Sequence, residues 1–245
     1  MKPIYLDIGN SSFKLAEYQN GNWTILCKEP VNRPDRVRDF LKIKGENREL
    51  VISSVRKEIE IELSESMSDI NIFSLHVCQV PSKLLNYNTP ETLGIDRYLS
   101  CFGAASLSEK PVIVIDAGSA CTIDFMTADR VFHGGVIMPG LRIFKKVMAD
   151  ALPELPEVFE SLPENWPGKS TDECIRWGLY GGYASAIEAF IRKHQADKTE
   201  TEIYITGGDA LLLIKLLNGR KELKHREYLL FEGMREFYRF NNANL

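Results

Sequence analysis

Several things are scarce in this chain, and each shortage narrows what it can be. No apolar run in its 245 residues approaches the roughly 18 to 20 needed to cross a bilayer, and Asp7 interrupts the first apolar stretch before a signal segment develops. A soluble, cytoplasmic protein without membrane partners is expected. The five cysteines (Cys27, Cys78, Cys101, Cys121, Cys174) are widely spaced and lack a CxxC pair, which fits reduced thiols rather than a disulfide framework. The histidines (His76, His133, His194, His225) are scattered without HxxxH spacing, so no transition-metal site is expected. There is no basic excess: 30 Lys and Arg stand against 34 Asp and Glu, for a net charge of −4. With no Lys/Arg run interleaved with aromatics, nucleic acid is not an expected partner. Neither GxxxxGK[ST] nor a strand-linked GxGxxG occurs, so phosphate binding through a P-loop or Rossmann turn is unsupported.

What is present is the balance of a folded protein, 44% hydrophobic and 26% charged, at a length that accommodates two similar halves. The chain opens with three short extended stretches around Ile4-Tyr5-Leu6, Ser12 to Ala16 and Trp23 to Leu26, separated by Gly9-Asn10 and Asn20-Gly21-Asn22. Helix and strand patterns then alternate: helix over Asp35 to Ile43, strand over Glu49 to Ser53, helix over Lys57 to Met67, strand over Ile72 to His76. At Pro111 the pattern restarts, with strands over Pro111 to Asp116, Ala120 to Met126 and Arg130 to Met138. Helices follow over Leu141 to Ala151 and Thr171 to His194, a strand over Glu202 to Thr206, a helix over Ala210 to Leu217 and a last helix from about Phe231. The four prolines from Pro153 to Pro167 predict loop there.

Asp7-Ile-Gly-Asn-Ser-Ser overlays Asp116-Ala-Gly-Ser-Ala-Cys at the same place in the same strand, turn, strand context, which reads as an internal duplication with its boundary at 110/111. A tight Asp-x-Gly turn aims backbone N–H groups at one point, and such a nest binds phosphate oxygens. The aspartate beside it suits a bridging cation, and Lys14 adds a point charge near the first turn. Turn chemistry alone explains one such motif; two copies at matching places point to a shared ligand. Gly134-Gly135 to Pro139-Gly140 and Thr206-Gly207-Gly208-Asp209 place flexible backbone before further helices.

Asp96 stands at a helix start, in Leu93-Gly94-Ile95-Asp96-Arg97, with Ile95, Leu99 and Phe102 forming the core face. A first-turn aspartate is favoured by the helix dipole, and in a cleft it can also serve as a general base, with Arg97 clamping a substrate carboxylate. The helix after Thr171 carries a small-residue stripe, Gly178, Gly182, Ala186 and Ala189, suited to close packing within the chain or between copies.

Taken together, Asp7 to Lys14, Tyr87 with Thr89 to Arg97, Asp116 to Asp124, Gly134 to Gly140, Thr206 to Asp209 and Leu229 to Met234 resemble the type III pantothenate kinases, members of the acetate and sugar kinase/Hsp70/actin superfamily. The resemblance implies an α/β fold of two duplicated ribonuclease H-like (actin-like ATPase) domains, 1–110 and 111–245, each a mixed sheet with flanking helices. It implies ATP-dependent phosphorylation of pantothenate to 4′-phosphopantothenate, the first step of coenzyme A biosynthesis. On that likeness Asp7, Ile8, Gly9, Asn10, Ser11, Ser12, Phe13, Lys14 and Ser119 contact ATP, and Asp96 is the general base. Tyr87, Gly94, Ile95, Asp96, Arg97 and Thr171 hold pantothenate, and Asp116 carries a monovalent cation, K+ or NH4+, with Mg2+ accompanying ATP. The family pocket is shared across a homodimer.

The chain departs from the family at two places. Ser119 replaces a threonine, keeping the hydroxyl without its methyl, and Leu152-Pro153-Glu154-Leu155-Pro156 lacks the usual Thr-Ala ahead of Leu-Pro. Competing readings are a superfamily kinase for another small acceptor, against which the Tyr87 to Arg97 segment speaks, and a non-catalytic nucleotide-binding regulator, against which Asp7, Asp96 and Asp116 speak.

Overall fold

The computed structural model describes residues 2–44, 48–67, 70–195, 200–218 and 220–243. Their contacts divide into two compact units: the chain through Leu107 with Arg130–Phe132 and the stretch from Tyr228 onward, and Ser108–Asp129 with His133–Glu227.

In the first unit, β1 (Ile4–Ile8) is buried along its whole length, as a central strand must be. It pairs antiparallel with β2 (Ser12–Gln19), which pairs antiparallel with β3 (Asn22–Pro30). On its other side β1 runs parallel to β4 (Glu49–Ser54), and β4 parallel to β5 (Asn71–Leu75), giving the order β3-β2-β1-β4-β5. Period-two alternation decides the faces. Ile4, Leu6, Ile8, Leu50 and Ile52 pack with Val37 and Leu41 of α1 (Pro34–Lys44) and Leu63 of α2 (Lys57–Glu65). Apolar burial of this kind contributes about 25 cal/mol per Å².

Helices α3 (Ile95–Ser106) and α8 (Leu229–Asn242) pack on each other. Two glycines set that crossing. A Cβ on Gly103 would lie 2.5 Å from the Leu229 carbonyl oxygen, and one on Gly233 would lie 1.8 Å from that of Leu99, so a side chain at either would push the helices apart. Around them Tyr98, Phe102 and Phe237 meet edge-on or stacked, with centroids 5.5 to 5.7 Å apart.

The second unit repeats the plan. β6 (Val112–Ala117) pairs antiparallel with β7 (Ala120–Met126) and parallel with β9 (Glu202–Thr206), which runs parallel to β10 (Leu223–His225). With β8 (Phe132–Pro139) the order is β10-β9-β6-β7-β8, the first sheet's order element for element. After β8 come α4 (Leu141–Ala151), α5 (Thr171–Arg176) and α6 (Gly182–Gln195); α7 (Ala210–Leu216) follows β9. The proline-rich stretch carries no helix or strand, as the prolines predict.

The helix expected over Thr171 to His194 is divided. Trp177–Gly181 widens into a π-turn between α5 and α6. A Cβ on Gly181 would sit 2.3 Å from the Trp177 ring, so glycine lets the indole lie over the widened turn, where its Nε1–H donates to the Asn165 carbonyl (2.6 Å).

Candidate active site

The two Asp-x-Gly hairpins are built alike. In the first, the Gly9 N–H donates to Ser12 O (3.1 Å); in the second, the Gly118 N–H donates to Ala120 O (3.0 Å). A Cβ at Gly9 would lie 3.4 Å from Ser12 O and 3.9 Å from an Asp7 carboxylate oxygen, and at Gly118 3.4 Å from Ala120 O and 3.6 Å from one of Asp116. In both, the strand-end carboxylate lies against its own turn glycine. They differ in length. Asp7 stands opposite Lys14 and Ile8 opposite Phe13, while Asp116 stands opposite Thr122 and Ala117 opposite Cys121, so the first turn is one residue longer and only it has a lysine across from its aspartate.

Within the first unit, Asp7 is 5% exposed and runs beside Ser53 of β4. Asn10 and Ser11 form the open tip, whereas Ile8 and Phe13 turn into the core, so only their main-chain groups remain for a ligand. The Val55 N–H donates to Ile8 O (3.1 Å), and Val55 in turn comes within 3.8 Å of the place a Gly94 Cβ would occupy. This brings the Asp7 hairpin and the start of α3 together at the carboxyl ends of the parallel strands β1 and β4, where ligands of open α/β sheets bind.

Asp96 folds back over its own helix start, with Oδ1 accepting the Arg97 N–H at 2.9 Å. Gly94 makes room for it, since a Cβ there would lie 2.5 Å from that same oxygen. Gly94 and Ile95 line a cleft of about 1000 Å³ with Ser54, Val55 and His76. Tyr87 and Arg97, the other expected acceptor residues of this unit, share a support the sequence reading did not single out. The Phe132 ring is 6.0 Å from the Tyr87 ring and 5.9 Å from the Arg97 guanidinium carbon, and its carbonyl accepts the Asn86 N–H at 2.9 Å.

Within the second unit, three segments meet around the Asp116 hairpin. Gly207, held at φ +96°, packs so closely on this hairpin that a Cβ there would lie 2.6 Å from an Asp116 carboxylate oxygen and 2.5 Å from Ala117 O. The Asp209 N–H donates to Ala117 O and the Gly140 N–H to Ser119 O, both at 2.9 Å. Tyr183 Oη donates to Pro139 O (2.9 Å) and holds the Pro139-Gly140 corner. The Cys121 thiol behind the turn is pushed up to about 11, chiefly by burial, with Asp116, Asp209 and Asp124 adding to it and a Tyr183 hydrogen bond opposing. It is a protonated core group. Ser119 is exposed at the tip.

Thr171 is exposed at the first position of α5. Its loop is well fastened. Ser170 Oγ accepts the Glu173 N–H (3.2 Å), while the Glu173 carboxylate accepts from the Lys169 N–H (2.6 Å) and Asn165 Nδ2 (3.0 Å). Those bonds, the main-chain one foremost, hold the Glu173 carboxyl below the usual carboxylate range.

The family profile described as type III pantothenate kinase matches residues 4–193. A Flavobacterium psychrophilum protein of that name is 28% identical over 244 residues, covering 97% of this chain and 98% of its own. Among solved structures, a Campylobacter jejuni protein named as a conserved Baf family transcriptional activator superposes with a TM-score of 0.68 at 24% identity, covering 99% of this chain and all of its own. An archaeal actin homolog superposes with a TM-score of 0.50 at 12% identity, over 98% of this chain and all of its own. With two sheets of identical order, these likenesses give the fold as two duplicated actin-like domains.

Proposed function

The chain belongs to the type III pantothenate kinase family and is a kinase, and from that membership we propose that it transfers the γ-phosphoryl group of ATP to the hydroxyl of pantothenate with Asp96 as general base. The observation that carries the base assignment is the seat of Asp96, whose carboxylate rests against Gly94, a residue of the cleft wall that Val55 links to the Asp7 hairpin. The pantothenate oxygen attacks the γ-phosphorus, the bond from that phosphorus to the β-γ bridging oxygen breaks, ADP leaves, and the hydroxyl proton goes to Asp96. A positioned base contributes about 10² to 10⁴ in rate.

The remaining roles follow the same reading. Main-chain N–H groups of Asn10 to Ser12, the Asn10 and Ser11 side chains and Lys14 bind ATP phosphates with Asp7 and Gly9 beside them, and Ser119 adds a hydroxyl. Tyr87, Gly94, Ile95 and Arg97 hold pantothenate. Asp116 suits a monovalent cation, K+ or NH4+, because a carboxylate oxygen and a main-chain carbonyl converge beside Gly207, a hard-oxygen donor set. Such an ion, like the Mg2+ that travels with ATP, supplies charge neutralisation for the phosphates. The repeat divides at 110/111, and the protein works in the cytoplasm, which the absence of any long apolar segment in the sequence favours.

Assembly into a homodimer that carries Thr171 to a partner's substrate is supported by the surface of the second unit. Ile143, Phe144 and Val147 of α4 are exposed, as are Leu152 and Leu155, while Phe159 is 82% and Trp166 76% exposed. The small-residue stripe is also open at Gly178, Gly182 and Ala189. Two measurements test these roles. Asp96→Asn is expected to lower kcat at least 100-fold with ATP affinity retained, and full activity would remove Asp96 as base. Replacing potassium by sodium is expected to lower the rate, and an undiminished rate would sink the Asp116 cation assignment.

A further inference from the structure

We propose that Arg142 is a phosphate ligand for the bound nucleotide, aimed by the buried carboxylate of Asp209. The inference rests on the reading that the Ala117 to Ala120 turn takes part in ATP binding. Arg142 is the second residue of α4, and its Nε lies 2.7 Å from Asp209 Oδ1. The two side chains differ sharply in exposure: that of Asp209 is 8% exposed and that of Arg142 is 79% exposed. A surface ion pair leaves both partners wet and adds little to stability. Here the anion is sunk beneath the surface and holds the stem of a cation whose outer part faces solvent.

Both ends of this pair are fastened to one turn. The Asp209 main chain donates to Ala117 O, and the Gly140 main chain at the start of α4 donates to Ser119 O. Gly140 is pressed so closely on the turn that a Cβ would fall 2.1 Å from Gly118 O. Arg142 therefore has little freedom relative to the Gly118-Ser119 tip. Engaging a guanidinium through Nε leaves its two Nη groups, a planar fork whose spacing matches two oxygens of one phosphate.

The charge balance gives the arginine a reason to be there. Asp116, Asp209 and Asp124 all act to raise the Cys121 thiol behind this turn, so carboxylates gather around the hairpin. The matching turn of the first unit carries Lys14 opposite its aspartate, whereas the second carries Thr122 there. Beside the ions proposed for the phosphates, the second turn has no side-chain cation of its own across from its aspartate, and Arg142 supplies one from α4. The ligand class is a nucleoside di- or triphosphate, read through its phosphates and not its base.

The test compares ATP, ADP and adenosine binding to wild-type protein, Arg142→Ala and Arg142→Lys by calorimetry or competition, with melting temperatures alongside. Removing a charge-assisted, two-point contact is expected to weaken ATP about 10- to 100-fold, leave adenosine within about twofold, and be only partly rescued by lysine. Asp209→Asn, which keeps the shape but loosens the aim, is expected to weaken ATP several-fold without affecting adenosine. Unchanged ATP affinity in a folded Arg142→Ala protein, or equal losses for ATP and adenosine, would overturn the proposal while leaving the kinase reading intact. Wild-type protein that binds no ATP would instead remove that reading and this inference together.

Discussion

Gly94→Ala separates the position of the proposed base from the integrity of the fold. Gly94 has φ −63° and ψ 124°, a backbone that alanine adopts without strain, so the substitution acts through its methyl group alone. That methyl would arrive 2.5 Å from Asp96 Oδ1, with its next neighbours at 3.7 and 3.8 Å. Relief requires the carboxylate to move by roughly 1 Å, a misplacement that can cost about 10²-fold in rate. The stability terms nearly cancel. Losing the bond from the Arg97 N–H to Asp96 costs about 1 kcal/mol, while replacing glycine reduces unfolded-state freedom by about 0.4 to 1 kcal/mol. At roughly 2 to 4 °C per kcal/mol for a chain of this size, the melting temperature should stay within about 4 °C of wild type. Steady-state kinetics with varied ATP and pantothenate should show kcat down about 100-fold and KM for ATP unchanged. A variant with wild-type kcat and an unaltered melting temperature would refute the claim that the seat of Asp96 matters to the chemistry.

Gly207→Ala should behave in the opposite way, because φ +96° strains an L-residue and the methyl would meet Ala117 main chain at 2.5 Å; a loss of at least about 2 kcal/mol is expected in denaturant unfolding, and wild-type stability would contradict the packing described. Val147→Glu places a charge on the exposed apolar face of α4 and should convert a dimer to a species of 27.8 kDa in light scattering, whereas an unchanged dimer would move the interface elsewhere. Iodoacetamide at pH 8 should modify Cys78 and Cys174, which are exposed, and spare Cys121, whose pKa near 11 and burial keep it a protonated thiol; rapid native labelling of Cys121 would mean that the second core is open.

Much of this architecture is written locally. Asp7-Ile-Gly and Asp116-Ala-Gly are turn-forming residues at the ends of buried apolar strands, so hairpin and repeat were both legible without long-range information. What stayed hidden depends on tertiary contact. Apolar spacing runs unbroken through Thr171 to His194, and the π-turn comes from the fit of the Trp177 ring over Gly181, which no periodicity records. β10 is three residues long with no buried position, so it offers no alternation to read. α8 begins at Leu229, two residues before the expected Phe231, a shift ordinary for a helix end. Phe132 looks like any strand aromatic until the fold brings Tyr87 and Arg97 onto it, and Arg142 looks like any surface arginine until Asp209 is found beneath it.

The central claim is tested most directly by ADP release from ATP by the purified protein, with magnesium and potassium, with and without pantothenate, and with the product identified by mass. The account predicts ADP formation that requires pantothenate and a product heavier than pantothenate by one phosphoryl group. Saturable ATP binding with no pantothenate-dependent turnover would contradict it, and would point to a different acceptor or to a regulatory use of the nucleotide.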